Sequence, residues 1–141
     1  DFRRRYLALT DGVPEKPSGI LDFPIEKMLG STVKRTVCED GKPSRTRYRT
    51  LRKENGSALI LLELETGRTH QIRVHLSHIG CPVRGDFLYG TALPEEFPGC
   101  FALHSAMLEM AHPLTGECIR LTSVPEWAQG VDRDVLFVNM N

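Results

Sequence analysis

The chain has 141 residues, 40% of them hydrophobic and 26% charged, which suits one domain with a packed core and excludes a disordered polyelectrolyte. The 18 Lys/Arg balance 18 Asp/Glu, so the molecule as a whole does not attract polyanions, although a local basic track remains open. No apolar run reaches the roughly 20 residues of a membrane span. Cys38, Cys81, Cys100 and Cys118 are scattered without a C-x-x-C pair, and read as reduced thiols of a cytoplasmic protein.

In chain order, Arg5–Thr10 has strand composition and closes on "TDG", a turn signal. Ile20–Ile25, "ILDFPI", is short and apolar, and Pro24 directs it to a sheet edge or a strand end. Thr32–Cys38 and Ser44–Leu51 are extended segments around "EDGKP", read as a hairpin on Asp40-Gly41. Asn55-Gly56 predicts a second hairpin, joining Arg45–Leu51 to Ala58–Glu65. The stretch "ALILL" is apolar on both faces, so it belongs inside a sheet and needs cover on both sides. We expect part of that cover to come from polypeptide upstream of residue 1.

A helix is predicted over Thr69–Ile79, with Thr69 as N-cap, Ile72, Leu76 and Ile79 at helical spacing, and Gly80 and Pro82 as the stop. "VRGDFLYG" is a loop. Phe101–Met110 is a strand, and "HPLTGE" turns it into a further strand at Cys118–Thr122. "VPEW" takes the chain away from the sheet. The fold class is α+β: a mixed, largely antiparallel sheet with few helices.

Two polar features stand out. Residues 1–52 carry twelve Lys/Arg against seven Asp/Glu, and residues 53–141 carry six against eleven. Much of the excess lies in "KRTVCEDGKPSRTRYRTLR", a basic β segment suited to a polyanion or, equally, to a solvated strand face. The second is "TGRTHQIRVHLSH", where Arg68, Thr69 and the helix start collect hydrogen-bond donors, and where Gly67 permits a tight turn. His70 and Arg73, three apart, share a helix face. Arg73 lies near the core, so it requires a carboxylate or phosphate partner, and spacing alone fits an arginine bridging strand and helix to a structural Asp rather better than a catalytic role. Leaving it unpaired costs several kcal/mol, about 3–5 where a buried pair is broken.

These residues carry a resemblance. "LETGRTHQIRVHLSHIGCPVRGDFLYG" resembles the signature of RNA pseudouridine synthases of the RluA type. "RRRYLAL", "GILDFPI", "GKPSRTRYRTL" and "FALHSAMLEMAHPLTGE" are similar to further blocks of that family, in the family's order, over roughly residues 3–125. The resemblance implies isomerisation of uridine in ribosomal or transfer RNA, with no metal and no organic cofactor. It puts Tyr6 at the tyrosine that packs on the target base. It puts Arg73 at the arginine that pairs with the catalytic aspartate, and Leu103 on an apolar wall of the base pocket. Lys34, Arg35, Arg45, Arg47, Arg49, Arg68 and His70 become candidates for RNA contact.

The family's nucleophilic aspartate sits in a His-Arg-Leu-Asp motif upstream of the tyrosine strand, and no segment here matches it. Asp1, Asp11, Asp22, Asp40 and Asp86 all stand in other contexts. Residues 1–141 therefore read as part of a pseudouridine synthase catalytic domain, partnered by RNA and by a missing N-terminal half. On this reading Arg73 lacks its carboxylate within the chain. Beside it stand two main rivals and a third, duller one, an α+β domain that merely binds a partner through its basic edge. Of the main two, one is a non-catalytic RNA-binding module that kept the fold. The other is a metal site from His70, His75, His78, His104 and His112, which the spacing disfavours, because His70 and His75 diverge by about 140° on a helix and no H-E-x-x-H is present.

Overall fold

Asn55 and Gly56 both take positive φ, 51° and 78°, and so close the two-residue hairpin read from the sequence. In the computed structural model, which describes residues 2–90 and 100–141, that hairpin joins β5 (Arg45–Glu54) to β6 (Ser57–Leu64). Around it stand β1 (Phe2–Asp11), β2 (Ser18–Asp22), β7 (Leu103–Ala111) and β8 (Cys118–Thr122), in the order β2-β5-β6-β1-β7-β8. Every pairing among the described residues is antiparallel, so the sheet is not mixed. Short hairpin connections fix this direction for β5–β6 and β7–β8, since a parallel pair needs a long crossover.

The apolar run of β6 lies between β5 and β1, as expected of a strand with two greasy faces. Leu59, Ile60, Leu61 and Leu62 are at most 1% exposed. Burial of one such side chain stabilises by about 1.5–3 kcal/mol. On the front face, Ile60 and Leu62 pack with Ala8, Tyr48, Ile72, Leu76 and Val83, under helix α1 (Gln71–His78). On the back face, Leu59 and Leu61 pack with Leu7, Met107, Ala128 and Leu136. The chain's own helix and C-terminal segment thus cover both faces, which corrects the expectation that the strand needs cover from outside.

The C-terminal segment leaves the sheet at Val124-Pro125 and returns over the back face in two short 3-10 turns, Glu126–Ala128 and Arg133–Phe137. Arg5 pins it there. This arginine is 1% exposed, donates to the carbonyls of Leu136 (2.9 Å) and Val138 (2.6 Å), and pairs with Glu63 at 3.0 Å. A buried guanidinium with three acceptors is satisfied.

Two local readings need correction. Pro24 does follow a strand end, and β2 is the sheet edge, but Ile20–Ile25 is split: β2 ends at Asp22, and β3 (Ile25–Lys27) starts a separate two-stranded sheet with β4 (Arg35–Val37). Asp40-Gly41 does not join β4 to β5 in a hairpin either, because β4 pairs with β3 and β5 pairs with β2 and β6. Instead the turn lays Lys42 against Ile25, through Lys42 N–H to Ile25 O (2.9 Å) and Ile25 N–H to Lys42 O (3.0 Å). Gly41 is needed for that approach, since a Cβ there would lie 2.7 Å from the Ile25 carbonyl carbon.

Candidate active site

Helix α1 is buried on nearly all sides over residues 71–76, which is unusual for a stretch holding Gln, Arg and His. Each polar group has a built partner. Gln71 Oε1 accepts from the Thr66 hydroxyl (2.7 Å) and from Arg68 N–H (3.1 Å). Its Nε2 donates to the Arg45 carbonyl (2.8 Å) and to Thr46 Oγ1 (2.9 Å). That saturates the amide. The Thr46 hydroxyl in turn donates to His75 Nδ1 (3.0 Å), and His75 Nε2–H donates to the Phe23 carbonyl (2.8 Å). His75 is therefore neutral, and its burial pushes its pKa below the ordinary value.

The helix begins at Gln71 rather than Thr69, and Thr69 is not its cap. His70 occupies the cap position with φ 57° and makes no side-chain cap bond. The Gln71 side chain ties down the preceding turn instead. Gly67 shows no positive φ, and a Cβ there would meet only the flexible end of Arg4, at 3.1 Å from Nη2, so the turn does not demand glycine.

Arg73 has a carboxylate partner within the chain, as the reading of a structural Arg–Asp bridge has it, and that partner is Asp86, not an aspartate of the family's catalytic motif. Its Nε and Nη2 donate to Asp86 Oδ2 (2.8 Å) and Oδ1 (2.7 Å), a bidentate pair with the carboxylate fully buried. Asp86 Oδ1 also accepts from Leu88 N–H (3.0 Å) and Tyr89 N–H (3.1 Å). Burial pushes the Asp86 carboxyl up, but the Arg73 hydrogen bonds, those from Tyr89 and Leu88, and the guanidinium charge outweigh it and hold its pKa below the usual value. Aromatic rings surround the guanidinium, with its carbon 4.1 Å from the Phe101 centroid and 5.1 Å from that of Tyr89. Arg73 Nη1 has no hydrogen-bond partner among the described residues and is not sealed off.

Tyr89 connects this pair to the small sheet. Its hydroxyl accepts from Arg35 N–H (2.9 Å) and shares a hydrogen bond with His70 Nδ1 (2.8 Å). Burial, with the charges of Arg73 and Arg35, lowers the His70 pKa.

An open cavity of about 390 Å³ lies on the front face, bounded by Tyr6, Arg68, His70, Arg73, Phe101 and Leu103. Five residues singled out from the sequence thus line one cavity: Tyr6 and Leu103 from adjacent strands, Arg68 and His70 from the turn, and Arg73 from the helix. Arg35, the first residue of β4, and Lys34 just before it do not line this cavity, and Lys34 Nζ is 5.9 Å from the Tyr89 ring. Arg45, Arg47 and Arg49 lie on the back face. Arg47 stands opposite Glu63, and Arg49 opposite Leu61 of the back core. Arg47 pairs with Glu65 at 2.7 Å, and Arg45 approaches Glu65 (3.6 Å) and Asp22 (3.7 Å). The five cations therefore do not form one basic hairpin face. No three metal-ligating side chains converge among the described residues, and His104 and His112 belong to the β7–β8 hairpin.

Asp86, Tyr89 and Phe101 were missed as site residues. The signal for Asp86 is the Asx-type turn in "GDFLY", where an aspartate bonds the backbone two and three residues on.

A model of RNA pseudouridylate synthases matches residues 1–78. The chain is 43% identical to a protein of Nitrosomonas europaea named ribosomal large subunit pseudouridine synthase D, over 83% of this chain and 36% of that protein. It is 42% identical to the uncharacterised RNA pseudouridine synthase YjbO of Bacillus subtilis, over 84% of this chain and 41% of its relative. Among solved structures, human RNA pseudouridylate synthase domain containing 1 superposes with a TM-score of 0.75 at 29% identity, over 88% of this chain and 55% of that one. The chain spans less than half the length of the two bacterial relatives.

Proposed function

This chain belongs to the RNA pseudouridylate synthase family, and from that membership we propose that it forms the base-pocket part of an enzyme converting uridine to pseudouridine in RNA. The observation that carries the proposal is the single cavity bounded by Tyr6, Arg73 and Leu103. A target uridine leaves its stack at a cost of a few kcal/mol. Stacking on an aromatic ring such as Tyr6 offsets about 1–3 kcal/mol of that. The reaction breaks N1–C1′, turns the uracil and forms C5–C1′. C5 gives up its hydrogen as a proton and N1 takes one up, so the balance closes without oxidant or reductant.

A nucleophilic carboxylate must attack the sugar or the base. Asp86 does not serve: both its oxygens are engaged and its side chain has no exposure. We assign the nucleophile to the aspartate motif of the family, which has no counterpart in residues 1–141. Asp86 is then a positioning residue. It holds the Nε/Nη2 edge of Arg73 and leaves Nη1 to meet a second carboxylate across the cavity. A guanidinium beside that carboxylate keeps it ionised and fixes its rotamer. Lysine lacks the fork to serve two carboxylates at once.

The names of the relatives favour large-subunit ribosomal RNA as substrate. The four free cysteines favour a cytoplasmic protein. The test uses the full-length gene product on ribosomal RNA carrying tritium at uridine C5. Tritium should pass into water, and the Arg73→Lys and Tyr6→Ala variants should release far less. No release by the unaltered protein, on ribosomal or transfer RNA, rejects the enzyme and leaves an RNA-binding module.

A further inference from the structure

A second cavity, of about 420 Å³, lies beside the first, between the small sheet and the turn that precedes α1. Lys27, Arg35, Lys42 and Arg68 line it, together with Thr69 and one acid, Glu26. None of these four cations makes an ion pair among the described residues. By contrast, Arg3 and Arg5 meet Glu63, Arg47 meets Glu65, Arg73 meets Asp86, and Arg120 meets Glu109, whereas here four unpaired cations share one cavity.

Backbone contacts, rather than carboxylates, hold this group in place. Arg68 Nε donates to the Pro43 carbonyl (3.1 Å), and Arg35 Nη1 donates to the Val33 carbonyl (2.9 Å). The Lys42 backbone is fixed by its two bonds to Ile25, in the close approach that requires Gly41. A carbonyl anchors a guanidinium without cancelling its charge. The cavity therefore keeps an excess of positive charge, with Arg35 and Arg68 held in place and the two exposed lysines free to adjust, which suits a polyanion.

Arg68 lines both cavities, so the two share a wall. We infer that the second cavity binds backbone phosphates of the RNA strand that delivers its uridine to the Tyr6 cavity, with Lys27, Lys42, Arg35 and Arg68 as the phosphate contacts. This rests on the proposed function above. It adds Lys27 and Lys42 to the contact set, and it gives the RNA a direction across the front face, from the helix turn towards the small sheet.

The experiment measures binding of fluorescein-labelled decauridylate to the full-length protein by anisotropy, across a series of KCl concentrations. Each phosphate neutralised on a single strand contributes about 0.7 to the slope of log K against log salt. The Lys27→Gln/Lys42→Gln double variant should weaken binding and lower the slope by about 1.4. Lys27→Arg/Lys42→Arg should retain the slope, which separates charge from any change of fold. An unchanged slope in the glutamine variant overturns the inference, as does failure of the unaltered protein to bind the oligonucleotide. The tritium assay stands apart. If the slope falls while no tritium is released, the phosphate site holds and the enzyme reading fails.

Discussion

Arg73 and Asp86, thirteen residues apart, form a bidentate ion pair in which the carboxylate is fully buried and the guanidinium retains an open Nη1. The pair joins a helix to the loop after it, and one edge of the arginine is spent on structure. The same residue lines the front cavity, so under the proposed function stability and chemistry would meet in a single side chain.

Removal of Asp86 should therefore be costly. Asp86→Ala leaves a buried guanidinium and two backbone N–H groups unpaired, and the expected loss is about 3–5 kcal/mol, a large share of the 5–15 kcal/mol of an ordinary domain. Urea unfolding followed by circular dichroism reads this directly. An Arg73→Met/Asp86→Leu double variant should recover part of the stability and none of the turnover. Equal stability of Asp86→Ala and the parent protein contradicts the structural role.

Tyr6 should matter to turnover more than to folding, because it is only half-buried and lies at the cavity wall. Tyr6→Ala removes the stacking surface, and the loss of about 1–3 kcal/mol corresponds to roughly 5- to 150-fold in activity. Tyr6→Phe keeps the ring and should keep the stacking part. A melting temperature close to that of the parent, with activity down, is the expected pair of readings. Parental activity in Tyr6→Ala dismisses the stacking role.

The pH dependence has two parts, with the same sign. His75 has a folded pKa below the ordinary value of about 6.5, so the unfolded chain takes up the proton first. The stability this provides is complete above about pH 6.5 and is lost as pH falls below it. His70, also lowered, acts in the same direction. Asp86, with its folded pKa held down, contributes above about pH 3.9 and loses that contribution as pH falls further. Thermal melts from pH 8 to 3 should show both declines, and His75→Gln should flatten the first and spare the second. An unaltered first decline in that variant assigns it elsewhere.

Substitutions on the back face should leave RNA binding alone. Arg49→Ala removes an exposed cation from the face opposite Tyr6, and the salt slope for decauridylate should match the parent. A slope reduced as much as in the Lys27/Lys42 variant contradicts the assignment of the RNA to the front face.

Several features of this molecule were legible because they are local. The Asn55-Gly56 turn follows from the residues that tolerate positive φ, and "ALILL" between polar strands belongs mid-sheet whatever surrounds it. The family blocks brought Tyr6, Arg73 and Leu103 forward, and one cavity holds all three. Asp40-Gly41 misled because its composition signals a turn without naming the strands it joins, and Ile25 became the partner only once β3 and β4 had paired.

The sequence alone determined the Asn55-Gly56 hairpin, the need for cover on both faces of β6, and the demand of Arg73 for an anionic partner, since each depends on side-chain chemistry within a few residues. Only the tertiary structure decided which acid answers that demand, which segment covers the back face, and on which side the β5 arginines emerge. Those outcomes depend on strand register and on loops that return from far along the chain. A shift of one residue in a strand exchanges its two faces, and composition does not encode that choice.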